Sequence, residues 1–229
     1  RKVMRAMLDA LDRGVGDVMD KLEEHNISDD TLIIYCSDNG GLARNAGADN
    51  WILKGSKGYL SEGGIRVPFI VRWPGHVPAN TTYDEPVMHM DVLPTMVAAA
   101  GGALDPVMDG VSLIPYLNGD QTGVPHERLF WKMNPSSDSR WVVREGDWKL
   151  VDARNVSGLF NLADDPGEEN DLSDQHPDVV QRLKNELDAW QAQNRPSLVN
   201  DDTRRASQHE LNFREEWSPA SRYSVQEVD

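Results

Sequence analysis

Asp38 and Asn39 sit side by side in Ser37-Asp38-Asn39-Gly40-Gly41, and two lysines, Lys54 and Lys57, follow around Gly55-Ser56. A carboxylate and an amide carbonyl are both oxygen donors, which suit a hard cation such as calcium or magnesium better than zinc. Lysines set among glycines suit a small anion, because the backbone can approach closely and the ammonium acts as a flexible point charge. A cation-holding pair and a lysine on consecutive elements point to a site for a tetrahedral oxyanion whose charge the cation and the lysine neutralise. Glu62-Gly63-Gly64 comes next. Glu62 reads as a structural group that holds backbone amides or Arg66 beneath the site, rather than as a general acid.

The elements around these residues would present them in one place. Leu32-Ile33-Ile34-Tyr35 is a short apolar run rich in strand formers, of the kind that suits a buried parallel strand. In open α/β sheets, ligand sites lie beyond the carboxyl ends of such strands, where Asp38 and Asn39 fall. Cys36 reads as a small core residue of that strand. A second apolar run, Val67 to Val71, follows the glycines. Turn chemistry remains an alternative for Asp38 and Asn39, since Asn, Asp and Gly dominate ordinary turns, and either lysine could be a solvated loop residue.

Five blocks, in order, extend this reading along the chain. Asp38-Asn39-Gly40-Gly41, then Lys57-Gly58 through Glu62-Gly63-Gly64-Ile65-Arg66-Val67-Pro68, resembles the sulfatase family of the alkaline-phosphatase-like superfamily. His89-Met90-Asp91-Val92-Leu93-Pro94-Thr95 is similar to the family's helix start, and Asp109-Gly110-Val111-Ser112-Leu113 to its following turn. Arg144 to Leu150 and Leu159 to Glu168 resemble its C-terminal strands. The resemblance implies calcium, more than magnesium, as cofactor, with Asp38 and Asn39 as metal ligands. It also implies that Lys57, the lysine directly before Gly-x-x-x-Glu-Gly-Gly, is the catalytic and substrate-binding residue that contacts the sulfate. The implied reaction is hydrolysis of a sulfate ester, of an aryl or carbohydrate substrate. Its rivals are a phosphonate monoester hydrolase or phosphodiesterase of the same superfamily, and a non-catalytic binding module. His89 is open to reading as a ligand, though a lone histidine before a helix is more often a packing or capping residue.

One part of the family pattern is missing. The nucleophile, a formylglycine made from the Cys or Ser of C-x-P-S-R or S-x-P-S-R, has no counterpart here, and Cys36 lacks the Pro-Ser-Arg that would follow. The first helix also starts mid-pattern: Val3, Met4, Met7, Leu8, Leu11, Val15, Val18, Met19 and Leu22 repeat at helical spacing to about Glu24, with no capping residue ahead. An N-terminal half of the same protein, carrying the formylglycine, is therefore expected as a partner. Gly14 and Gly16 interrupt the helix, consistent with close packing.

The expected fold is α/β. Residues 1–125 form the C-terminal part of an alkaline-phosphatase-like domain, with a helix capped by Asp91 and stopped at Gly101-Gly102. Residues 126–194 form a small antiparallel sheet, with a turn at Glu145-Gly146-Asp147, and a helix bearing Val179, Val180, Leu183, Leu187 and Trp190 on one face. Trp131, Trp141 and Trp148 read as core. Residues 195–229 read as an arm or tail. Among 229 residues the net charge is -15, which argues against nucleic acid as partner. A sulfated small molecule or saccharide is still compatible, because site charge is local and a metal reverses it. No run is long enough to span a membrane. A single cysteine allows no internal disulfide and does not fix the compartment; the resemblance implies a periplasmic or secreted protein. The loops 44–51 and 134–140 are the positional candidates for substrate selection.

Overall fold

The computed structural model describes residues 2–42, 48–133, 140–153 and 155–194. The proposed tail and most of the two candidate selectivity loops lie outside them. Helix α1 (Lys2–Glu24) ends where its periodicity predicts. Its apolar stripe stays largely exposed among the described residues, with Val3 at 74% and Met7 at 63%. Leu8, Leu11, Val15 and Met19 line one side of a groove whose other side is Ile33, Tyr35 and Ile70. Gly14 and Gly16 are not there for close packing within this structure, since an added Cβ at either would meet nothing within 4 Å.

Strand β1 (Ile33–Cys36) pairs antiparallel with β2 (Phe69–Arg72), Cys36 facing Phe69 and Ile33 facing Arg72. The expected buried parallel strand is thus corrected: the run is half-buried and its described partner is antiparallel. An apolar run carries no information on strand direction; here the glycine-dense segment between the strands folds back on itself and returns β2 beside β1. Cys36 ends the strand and is half-buried rather than core.

A short helix, α2 (Glu62–Ile65), precedes β2, and a 3-10 turn (His89–Asp91) leads into α3 (Val92–Ala99). Asp91 is not the helix cap that the sequence suggests, for its side chain makes no capping bond to α3. Fully buried, the carboxylate instead accepts the Met88 N–H at 2.8 Å and the Val111 N–H at 3.0 Å, and meets His126 Nε2 at 2.8 Å. Thr95 Oγ1 accepts the Leu113 N–H at 2.9 Å. Both residues spend their side chains on tying the Asp109–Leu113 turn to the helix start. Gly110 permits this, since a Cβ there would lie 2.0 Å from the Met90 carbonyl oxygen. Gly101, at φ 72°, ends α3 as expected, and a short α4 (Ile114–Leu117) follows the turn.

The expected small antiparallel sheet is present, its last strand beginning at Val156, ahead of the apolar Leu159-Phe160. β3 (Leu129–Met133), β4 (Arg140–Glu145), β5 (Trp148–Ala153) and β6 (Val156–Asn161) form an antiparallel sheet in sequential order. Glu145 faces Trp148 across the turn, where Gly146 takes the left-handed φ of 54°. Alternation sends Val143, Leu150 and Leu159 to one face, under Leu183 and Leu187 of α5 (Pro177–Gln193). Trp141 and Trp148 pack against this cluster, and Phe130 stacks on Trp190 with ring centroids 5.0 Å apart. The opposite face buries Val142, Val151 and Phe160 against Leu60, with Trp131 alongside. Leu60 belongs to the lysine loop, so the sheet's core reaches directly under the candidate site.

Candidate functional site

The site is two loops knitted together by backbone. β1 delivers Ser37, whose N–H donates to the Pro68 carbonyl at 3.3 Å and whose hydroxyl donates to the Asn39 carbonyl at 2.9 Å. Beyond it, the Gly40 N–H donates to the Gly64 carbonyl at 2.9 Å, and the Lys57 N–H to the Gly41 carbonyl at 3.4 Å. These approaches require glycine. A Cβ on Gly40 would sit 1.8 Å from the Gly63 carbonyl oxygen, and one on Gly64 would sit 2.1 Å from that of Tyr59.

Within this frame Asp38, Asn39 and Lys57 come together. Hydrogen bonding from the Asn39 side chain holds the Asp38 carboxyl below its ordinary range, and the Lys57 ammonium adds to the effect. Asp38 and Lys57 are exposed, as groups that meet a soluble ion must be, while Asn39 is half-buried. The Asn39 Oδ1 atom is itself buried and has no hydrogen-bond partner among the described residues. An orphaned buried oxygen beside an ionised carboxylate is a donor set that a hard cation satisfies. Among the described residues no group of three or more His, Cys, Asp or Glu could hold a metal, so these two donors are an incomplete ligand shell.

Lys54 does not join them. Its Nζ is half-buried and donates to the Glu168 carbonyl, a packing role rather than a solvated one. The His89 Nε2–H donates to the Ser37 carbonyl at 2.8 Å, bracing the loop one residue before Asp38. It opens the 3-10 turn rather than capping it, since Met88 is the N-cap, and its contact with Ser37 is a packing one.

Glu62 is structural, but its partner is not Arg66. The fully buried Lys149 ammonium, from β5, donates to Glu62 Oε1 at 2.8 Å and lies 2.8 Å from Glu168 Oε1. The Arg66 N–H bonds only the Glu62 main-chain carbonyl. Three further residues escape sequence reasoning. Asn50 accepts the Gly41 N–H at 3.1 Å and donates to the Gly41 and Gly55 carbonyls at 3.1 and 2.9 Å, stitching the two loops. Lys149 and Glu168 fall in blocks noted for their pattern, yet nothing local announces that they meet. A cavity of about 330 Å³ lies behind the site, lined by Glu62, Arg66, Tyr83, His89, Trp131 and Arg144. Asp38, Asn39 and Lys57 do not line it, so it is not the anion site.

Residues 4–103 match the family model described as Sulfatase, and residues 54–193 match the one described as N-sulphoglucosamine sulphohydrolase, C-terminal. The chain is 32% identical over 223 residues to the steryl-sulfatase of Mus musculus, covering 81% of this chain and 35% of that protein. Among solved structures it is similar to Ps i-CgsB in complex with k-i-k-neocarrahexaose, with a TM-score of 0.76 and 32% identity. That match covers 93% of this chain and 47% of the solved one. The phosphonate monoester hydrolase of Agrobacterium radiobacter shares the fold, with a TM-score of 0.62 at 24% identity, over 82% of this chain and 40% of that one. The chain therefore spans about a third of the steryl-sulfatase and under half of either solved chain.

Proposed function

This chain belongs to the sulfatase family, and from that premise we propose that it forms part of the site of a sulfate-ester hydrolase. The observation that carries the reading is the convergence of an ionised Asp38, the unpartnered Asn39 Oδ1 and Lys57 on two interlocked loops. Asp38 and Asn39 would hold a divalent cation, with calcium suited by its tolerance of irregular oxygen shells and magnesium suited less. A bound cation there supplies charge neutralisation at the sulfate oxygens. Lys57 binds a sulfate or leaving-group oxygen and offsets the charge that grows on it in the transition state. Asn39 orients Asp38 and keeps it ionised. Asn50 and His89 hold both loops in register, so the site is formed before substrate arrives.

The nucleophile lies elsewhere. Cys36 is half-buried in β1, and no residue of the chain stands in the C-x-P-S-R or S-x-P-S-R setting. The family pattern points to a formylglycine in an N-terminal half of the same protein, consistent with the fraction of each relative that this chain spans. Aryl and carbohydrate sulfates both fit the reading. A periplasmic or secreted location accompanies it on the resemblance alone. Among the described residues no helix is long and apolar enough to cross a membrane.

Turnover of an aryl sulfate and of a phenyl phosphonate monoester by the intact protein tests the reading. A preference for the sulfate, reduced on the order of 10²-fold in turnover by Lys57→Ala, is the expected result. A preference for the phosphonate would favour the rival hydrolase. No turnover of either, with the sulfate still bound, would favour a binding module.

A further inference from the structure

Glu168 stands out for being where a glycine is easier to place. It is fully buried, yet its φ is 55°, in the left-handed region that side chains rarely adopt. Strain of this kind persists only where the surroundings over-determine it, and it clusters at functional sites. Glycine is at hand one residue earlier, so the turn is not short of it.

The contacts explain the choice. Glu168 Oε2 accepts the Glu62 N–H at 2.7 Å, and Oε1 lies 2.8 Å from the Lys149 ammonium. Lys149 is itself fully buried and also bonds Glu62 Oε1 at 2.8 Å. The Glu168 main-chain carbonyl meanwhile accepts from Lys54. One residue thus grips the lysine loop at both ends, at Lys54 and at the start of α2. The gripped stretch is internally rigid: the Gly63 N–H donates to the Lys54 carbonyl at 2.7 Å, and a Cβ on Gly63 would lie 2.5 Å from that oxygen. Glu168 is fixed in turn by the Asp165 turn, where Asp165 Oδ2 accepts the Glu169 and Asn170 N–H groups, both at 2.8 Å. Lys57 lies inside the gripped stretch, exposed, and depends on that backbone for its position.

We propose that Glu168, anchored by Lys149, is a positioning residue for the anion site: it clamps the loop from behind and acts on the reaction only through Lys57. The proposal rests on the reading of Lys57 given above. A carboxylate is needed because one side chain must accept a backbone N–H and neutralise a buried ammonium together. Misplacing a charge-neutralising group by about 1 Å can cost on the order of 10²-fold in rate, so partial loosening of the clamp is visible in turnover.

The test uses the intact protein, 4-nitrophenyl sulfate as probe, and turnover per folded molecule. Glu168→Gln keeps the shape and removes the charge. Glu168→Gly suits the left-handed φ, keeps the carbonyl that receives Lys54, and leaves Lys149 paired with Glu62. Each is made alone and in the Lys57→Ala background. The expected result is a roughly 10-fold fall in kcat from either substitution alone and no further fall once Lys57 is absent, as for two residues acting in one chain of contacts. The same fold-loss in both backgrounds would overturn the proposal, as would full activity in a folded Glu168 variant. Failure of both variants to fold would reduce Glu168 to a folding requirement and overturn it too. If Lys57→Ala alone loses nothing, the reading of Lys57 falls and takes this proposal with it, which separates the two failures.

Discussion

Replacing Lys149 by methionine strips the buried ammonium that Glu62 and Glu168 share and leaves two carboxylates facing the gap. Lys149 lies 2.8 Å from an oxygen of each, and all three side chains are at most 2% exposed. Among the described residues Arg144 is also beside Glu62, but its Nη1 is 4.0 Å from Oε2 and it is itself partly exposed. Breaking a buried pair by deleting one member typically costs about 3–5 kcal/mol, because the surviving charge is left uncompensated in a poorly solvating interior. We expect Lys149→Met to destabilise the intact protein by about that amount at pH 8, read as a shift in the urea midpoint at unchanged slope. The deficit should shrink in acid. Burial already holds the Glu168 carboxyl above its ordinary range, against the attraction of Lys149. A raised folded pKa means that the native state takes up the proton first, so its stabilising contribution is present at low pH and lost as pH rises through that value. Removing Lys149 raises that carboxyl further and widens the window. A deficit below about 1 kcal/mol at pH 8, or one equally large at pH 5, would refute the reasoning on the buried cluster.

Lys54→Ala should reduce turnover of an aryl sulfate only a few-fold, against the order of 10²-fold for Lys57→Ala, and equal losses would mean that the loop has been misread. Gly40→Ala forces a methyl to within 1.8 Å of the Gly63 carbonyl oxygen, so the two loops must part; calcium affinity by titration calorimetry should fall at least 10-fold, whereas an unchanged affinity would show that the loops can part without harm. Because Asp38 is held below the ordinary carboxylate range, its carboxyl should stay ionised from pH 7 to pH 5 and take up a proton only in stronger acid; an Asp38 carboxyl resonance that titrates between pH 7 and 5 would contradict this. The 229-residue chain alone should turn over no aryl sulfate and bind calcium weakly, two donors being too few for an ion that takes about six to eight oxygens. Turnover by the purified chain, unaffected by Cys36→Ala, would contradict this.

What could be read from the residues was what is local. The spacing of Leu11, Val15 and Leu22, and of Val179, Leu183 and Leu187, gives α1 and α5 because helical period is written into neighbouring positions. Gly146 between Trp141–Arg144 and Trp148–Val151 gives the hairpin for the same reason. Donor type and motif single out Asp38, Asn39 and Lys57 as candidates, and Asn39 and Lys57 lie close enough to Asp38 to act on its carboxyl. Relations across long sequence separations were not legible. Nothing in Leu32–Tyr35 says that its described partner runs antiparallel from Phe69. Asp91 has the type and place of a cap, and only the folded chain shows its carboxylate turned to Val111 and His126. Glu62 has Arg66 four residues away, but its charge partner lies 87 positions on, at Lys149. Asn50 carries no signal at all, because an asparagine before a tryptophan in a loop is unremarkable until its amide is seen joining Gly41 to Gly55.

In the proposed site Asp38 and Asn39 hold a divalent cation beside Lys57. The most direct test of this is the metal content of the intact protein, purified with and without Asp38→Ala and measured by elemental analysis after removal of loosely bound ions. The parent should carry one calcium per molecule and the variant none, with aryl sulfate turnover lost together with the metal. Full calcium occupancy in Asp38→Ala would contradict this.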